Sequence, residues 1–338
     1  EVGRLIGGRP EEVFFTSGGT EANALAIFGA VSGRRGRVVT SGAEHPSVRE
    51  PVARLARREE IEAVEVPPEP SGRLDPDRVR EAVVPGTLLV SIMAANNEYG
   101  GIYPVSEIAA EARSRGSLFH TDAAQAAGRI PVDLERWPVD LLTLSAHKLH
   151  GPKGVGALWA HRGVRLEPHT PGGGQEKKLR AGTENTIGIV GFGVAARLAR
   201  ERVAREAEGI ARLRDRLERG ILAAISGTRA AGADGPRLPN TTAILFEGLS
   251  GEALLMRLDL EGVAVSVGSA CSSGTLAPSP AILALGFTPA EAKGAVRFSL
   301  SRLTTDEEIG RVLDLLPCVV SEARAARRPL PLPSPVPA

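Results

Sequence analysis

The strongest constraint on the fold is an alternation. Seven short β-rich runs, at residues 13–16, 37–40, 63–66, 88–93, 118–121, 141–144 and 156–160, are interleaved with helix-period segments at 21–31, 47–58, 75–82 and 105–115. Parallel strands need crossovers, and a helix is the usual crossover, so this pattern predicts an α/β unit with a mostly parallel sheet covered by helices on both faces. Helix starts are marked at Thr20, between residues 71 and 75, and at Pro104. A charged amphipathic pattern then runs over residues 187–225, long enough to bridge two lobes. Beyond it, strand-like runs at 242–246, 263–267 and 295–300 and helical segments at 251–259 and 305–326 predict a small α+β unit. The predicted organisation is a large α/β domain over 1–200, a small α+β domain over 201–327 carrying Cys271, and a proline-rich tail over 328–338 expected to be disordered. There is no internal repeat. The chain opens directly in a helix-like segment, without a first strand, and a preceding N-terminal piece is expected to be missing.

Composition narrows the function classes. At roughly 150 residues per domain, 338 residues make about two domains. With 41 basic against 40 acidic residues there is no long-range field to attract nucleic acid. No apolar run approaches the roughly 18 to 20 residues needed to span a bilayer, and no signal peptide is evident, so the cytoplasm is the expected location. The two cysteines, Cys271 and Cys318, form neither a disulfide framework nor a metal-ligand spacing. Cys271 lies in a small-residue segment, 268–275, before a proline-rich stretch, which reads as a surface loop and not a packed core. Cys318, between Leu-Leu-Pro and Val-Val, reads as a small buried hydrophobe. Basic charge is carried almost entirely by arginine, so the five lysines stand out: Lys148, Lys153, Lys177, Lys178 and Lys293.

In open α/β sheets ligands sit beyond the carboxyl ends of the strands, so the polar residues after each run are the candidates. After the first comes Ser17-Gly18-Gly19-Thr20-Glu21, a glycine turn opening a helix. Such a turn suits a phosphate, but taken alone it reads first as an ordinary tight turn with a threonine cap. After the second comes Glu44-His45, where the ring could stack on a planar ligand or be merely structural. Asn96-Asn97-Glu98 follows the fourth, and Asp122 with Gln125 follows the fifth, although an aspartate there can simply cap a helix. After the sixth comes Ser145-Ala146-His147-Lys148, leading to Gly151-Pro152-Lys153-Gly154. A lysine between a buried strand and a Gly-Pro turn is poorly placed for a solvated charge and well placed for an amine that forms a Schiff base. With a strand-end carboxylate 26 residues earlier and a phosphate-type turn at the first strand, the set matches what pyridoxal 5'-phosphate requires.

These motifs resemble those of the NifS/IscS-like cysteine desulfurases, fold-type-I pyridoxal phosphate enzymes related to class V aminotransferases. The resemblance spans about residues 12–308, through the segments at 16–23, 44–45, 96–100, 120–125, 145–156, 172–185, 268–271 and 297–300. It implies that Lys148 carries the cofactor as a Schiff base, that Asp122 pairs with the ring nitrogen, and that His45 stacks on the ring. Gln125 would reach the phenolic oxygen, and Asn97 would lie beside ring and substrate. Gly19, Thr20, Ser145 and His147 would hold the phosphate, with Thr183 from the other subunit of a homodimer with shared active sites. Arg297 would clamp the carboxylate of L-cysteine as a bidentate pair. Lys148 would remove the α-proton, and the thiolate of Cys271, helped by His45 as proton acceptor, would take the sulfur as a persulfide and leave alanine. A sulfur-acceptor or iron–sulfur scaffold protein would then receive it, serving cluster, tRNA or cofactor synthesis.

Departures from the family pattern are the absent leading strand, Ser301 where a glycine is usual, and His150 where an aromatic is common. A selenocysteine lyase or another class V relative would share the ring-handling residues and is the enzymatic rival. A non-catalytic scaffold homologue is the rival of another class, and the presence of both Lys148 and Cys271 argues against it.

Overall fold

A computed structural model describes residues 1–268 and 277–326. Cys271 and the tail expected beyond residue 327 lie outside the described residues. The first sheet comprises β1 (Val13–Thr16), β2 (Gly36–Ser41), β3 (Ile61–Val66), β4 (Thr87–Ser91), β5 (Leu118–Asp122), β6 (Leu141–Ser145) and β7 (Gly156–Ala160). The order across it is β1-β7-β6-β5-β4-β2-β3. Strands β3, β2, β4, β5 and β6 run parallel, and β7 and β1 join antiparallel. The expected mostly parallel sheet is therefore present. Strands β4, β6 and β7 are buried at every position, whereas β3 at the edge is buried only at its two ends, Ile61 and Val66.

The helices are α1 (Val2–Leu5), α2 (Gly19–Val31), α3 (Pro46–Arg57), α4 (Pro76–Ala82), α5 (Val105–Ser114), α6 (Thr186–Ala224), α7 (Gly251–Leu260), α8 (Pro280–Ala284), α9 (Pro289–Ala292) and α10 (Asp306–Ala325). Their faces form two apolar layers on the large sheet. One is built around Ala26, Ile27, Val38, Leu89 and Leu158, the other around Phe119, Val90, Leu142, Ile108 and Phe192. The 39-residue α6 is capped by Asn185, whose side-chain oxygen accepts from Gly188 N at 3.0 Å. Its first half gives Phe192, Ala195 and Ala196 to the large core, and its second half gives Leu217 and Ile221 to a separate core. No helix among the described residues is long and apolar enough to cross a membrane.

That second core lies on a small antiparallel sheet, β10-β9-β8, with β8 at Thr228–Ala230, β9 at Thr241–Phe246 and β10 at Ala295–Ser299. One expectation fails here, and one strand was not expected. Residues 263–267 are not a strand: only Ser266 pairs with Arg297, through N–H···O bonds of 3.1 and 2.7 Å. Their apolar alternation is used instead in packing Val263, Val265 and Val267 against the small core. The strand actually present is β8, three residues with no apolar pattern to announce it. Cys318 is a third correction. It sits on the exposed side of α10, while Leu316, Val319 and Val320 turn inward, because the helical period carries position 318 away from the core.

Candidate active site

The carboxyl ends of β5 and β6 meet the start of α2 and α3 around one buried carboxylate. Asp122 ends β5; its Oδ2 accepts from Asn23 Nδ2 at 2.8 Å and its Oδ1 from Ala124 N at 2.9 Å. Asn23 also donates to Ser47 Oγ at 2.8 Å, and Ser47 Oγ lies 2.7 Å from His45 Nδ1. Ser47 N donates to the same His45 nitrogen at 3.1 Å, so the imidazole is both the cap of α3 and the last link of a polar chain from Asp122. Burial holds His45 below its ordinary pKa; Asp122 opposes this and Lys148 adds to it. The ring is therefore neutral near pH 7, with Asp122 and Lys148 both close enough to act on it.

Lys148 is half-buried in a 3-10 turn, Ala146–Leu149, that follows β6 directly. The turn closes tightly because a Cβ on Gly151 would stand 2.9 Å from Ala146 O. Arg129 ties it to the β5 loop, donating to Lys148 O at 3.1 Å and to Gln125 O at 2.9 Å. Burial, with Arg297 nearby, brings the Arg129 guanidinium down to about 10. A cavity beside this turn is lined by Lys148, Arg129, His150, Asn240 and Arg302.

Beneath Asp122, on the same face of β5, His120 is fully buried between Ser91 Oγ at 2.8 Å and Thr143 Oγ1 at 3.1 Å. Burial drives its pKa to about 4 against the pull of Asp122. It is thus a neutral support for the strand ends. Glu44, pushed up to about 8 by burial, accepts from Ser41 Oγ at 2.6 Å and from Met93 N at 2.8 Å, joining the ends of β2 and β4.

The phosphate-type turn packs as its glycines predict. Gly18 precedes α2 without any side-chain cap, leaving the first N–H groups of that helix without intrahelical acceptors. Gly19 lies against Ser145, and Ser145 Oγ is 3.0 Å from His147 Nδ1. Thr20 and His147 are exposed beside them. The loop presses on β7: a Cβ on Gly156 would stand 2.5 Å from Gly18 C and 2.8 Å from Gly19 N. Gly156→Ala is therefore expected to destabilise the fold by about 1–3 kcal/mol and to weaken retention of a phosphorylated ligand. Chemical denaturation and an anion-retention assay check this; unchanged stability would contradict the packing.

The substrate-side candidates lie against each other. Arg297, on β10, donates from Nη1 to Asn97 O at 2.9 Å, and its Nε is buried without a hydrogen-bond partner. Neighbouring Glu98 is pushed up to about 7 by burial, with Ser279 and Arg297 opposing. Thr183 is exposed on the loop before α6, in a recess with Ser17 and Arg180 that shares no lining residue with the cavity at Lys148. Of the residues expected from sequence, Lys148, Asp122, His45, Gln125, Gly19, Ser145 and His147 thus surround the ends of β1, β5 and β6. Asn97 and Arg297 are joined to each other, and Thr183 stands apart within the single chain. Asn23, Ser47, Arg129 and His120 were not anticipated individually.

The set fits pyridoxal 5'-phosphate on its own donors. An uncapped helix N-terminus with Ser145 and His147 suits the phosphate. Asp122 is a buried carboxylate already oriented by two donors, and the adjacent Asn23 Oδ1 is buried without a partner.

Comparison with known proteins agrees. Residues 1–312 match the family model for class-V aminotransferases. A cysteine desulfurase of Gluconacetobacter diazotrophicus is 47% identical over 315 residues, covering 93% of this chain and 79% of its own. The cysteine desulfurase NifS of Azotobacter vinelandii is 43% identical over 326 residues, covering 96% and 81%. A solved NifS-like protein superposes with a TM-score of 0.86 at 33% identity, over 95% of this chain and 86% of that one. With the sheet order, the Lys148 turn and the Asp122 network in place, the chain belongs to the class-V aminotransferase family, among its cysteine desulfurases.

Proposed function

We propose that the chain converts L-cysteine and the thiol of Cys271 into L-alanine and a Cys271 persulfide, with pyridoxal 5'-phosphate as cofactor. The family is dependent on that cofactor. The observation that carries the reading is the hydrogen-bonded chain from Asp122 through Asn23 and Ser47 to His45, beside the Lys148 turn that follows β6.

When bound, the cofactor supplies an electron sink for charge developing at the substrate α-carbon. The chain does the rest. Lys148 provides the tethering amine and then moves the α-proton. Asp122, fixed by Asn23 and Ala124 N, keeps a proton on the ring nitrogen. His45 offers its ring face for stacking, Gln125 reaches the phenolic oxygen, and Asn97 flanks the substrate. Gly19, Thr20, Ser145 and His147 take the phosphate, joined by Thr183 of a second copy in a homodimer. Arg297 holds the substrate carboxylate through its guanidinium fork. Cys271 gives up its proton, with His45 as acceptor, and its sulfur attacks the substrate sulfur; an S–S bond forms as the C–S bond breaks, and the carbon takes a proton to become alanine. A free thiol near pKa 8.5 is only a few per cent ionised at neutral pH, so an acceptor is needed. The persulfide is then passed to an acceptor or iron–sulfur scaffold protein in the cytosol, where thiols stay reduced.

The test is product stoichiometry. Protein reconstituted with the cofactor and given L-cysteine with a reductant is expected to release alanine and sulfide in equal amounts, without a 2-oxo acid. Alanine formation that requires an added 2-oxo acid would instead identify an aminotransferase.

A further inference from the structure

Glu98 is absorbed by none of the roles above, yet it is buried, 8% exposed, beside Asn97 and under the charge of Arg297. Its carboxylate Oε2 accepts from Ser279 Oγ at 2.5 Å. The same oxygen fills the place of a side chain at Gly268: a Cβ built there would stand 2.2 Å from it and 2.6 Å from Ser279 Cβ. Gly268 and Ser279 thus meet each other on Glu98, although residues 269–278 separate them in sequence. Ser279 is itself anchored, since its Oγ accepts from Ile282 N at 3.2 Å as the cap of α8. Cys271 follows Gly268 by three positions. Glu98 is also fixed from its own side, its N–H donating to Asn96 Oδ1 at 2.8 Å.

We infer that Glu98 is a positioning residue for the sulfur-transfer step: by accepting from Ser279 and packing against Gly268 it fixes where the segment bearing Cys271 leaves and rejoins the chain beside Asn97 and Arg297. The inference rests on the function proposed above. A carboxylate is suited to the task because one oxygen can accept from Ser279 while occupying the space that glycine leaves at 268. Glutamine keeps an acceptor of the same reach and alanine keeps none. The events that precede sulfur transfer depend on Lys148, Asp122 and Arg297, and so do not require this grip.

Two readouts separate the roles. The reconstituted holoenzyme is mixed with L-cysteine in a single turnover, following the cofactor's absorbance change and, by mass spectrometry, the persulfide on Cys271. In Glu98→Ala and Gly268→Ala the persulfide is expected to form at least about tenfold more slowly while the absorbance change stays within about twofold, because misplacing a reacting group by about 1 Å costs up to about a hundredfold. Glu98→Gln is expected to recover most of the persulfide rate. Ser279→Ala, which removes a single hydroxyl, decides the matter by the same two readouts if the other variants do not fold. A persulfide formed at the parental rate, or both readouts falling by the same factor, would overturn the inference. If the unaltered holoenzyme forms alanine but no persulfide on Cys271, the function proposed above fails, and this inference with it.

Discussion

Lys148→Ala is expected to yield a folded protein that no longer retains a covalently tethered cofactor and that forms alanine at least about a thousandfold more slowly, since the reacting amine itself is gone. The fold should tolerate the change. The side chain is half-buried, and the 3-10 turn around it is held by groups the substitution leaves in place: Gly151 N donates to Ala146 O at 2.9 Å and the Arg129 guanidinium to Lys148 O. A loss of about 1 kcal/mol or less is the expected stability effect. Absorbance retained through gel filtration, together with alanine release, separates the two outcomes. A variant that keeps both would place the essential amine elsewhere.

Cys271→Ser is the second large effect, and its signature is different. A hydroxyl in place of the thiol can form no persulfide, so desulfuration of L-cysteine is expected to fall by about a thousandfold or more. Cofactor retention and the absorbance change on adding L-cysteine should persist, because Lys148, Asp122 and Arg297 are untouched. Selenocysteine is the informative second substrate: selenide release surviving in the variant, alongside lost cysteine activity, separates lyase chemistry from sulfur transfer. Equal loss of cofactor binding would mean that position 271 supports the fold and not the sulfur chemistry.

The large sheet was legible because its signal is local. Most of its strands are short apolar runs, four of the connections between them carry a helix, and all seven runs fall on β1 to β7. The small sheet was less so. Residues 263–267 carry valines at alternate positions, yet they gain only one backbone bridge, at Ser266, while the polar Thr228–Ala230 pairs with β9. Pairing partners decided both cases, and a single segment does not name its partner. Cys318 misled for a related reason. Its apolar neighbours flank it in sequence, but helical rotation separates the residues at 316, 319 and 320 from the one at 318.

In the site, residue types with intrinsic chemistry stood out: a lone lysine, a strand-end aspartate, a glycine turn. The residues that orient them did not. Asn23 reaches Asp122 across 99 positions, and Glu98 reaches Ser279 across 181. Arg129 acts through carbonyl oxygens, which every residue possesses. Such roles exist only once the chain has folded, so no spacing announces them.

The most direct measurement of the central claim is the mass of the peptide containing Cys271 after one turnover with L-cysteine. The account predicts a gain of one sulfur atom on that residue, matched one for one by alanine and removed by a thiol reductant. Alanine or sulfide released in full turnover while that peptide keeps its unmodified mass, or the added sulfur appearing on Cys318 instead, would contradict it.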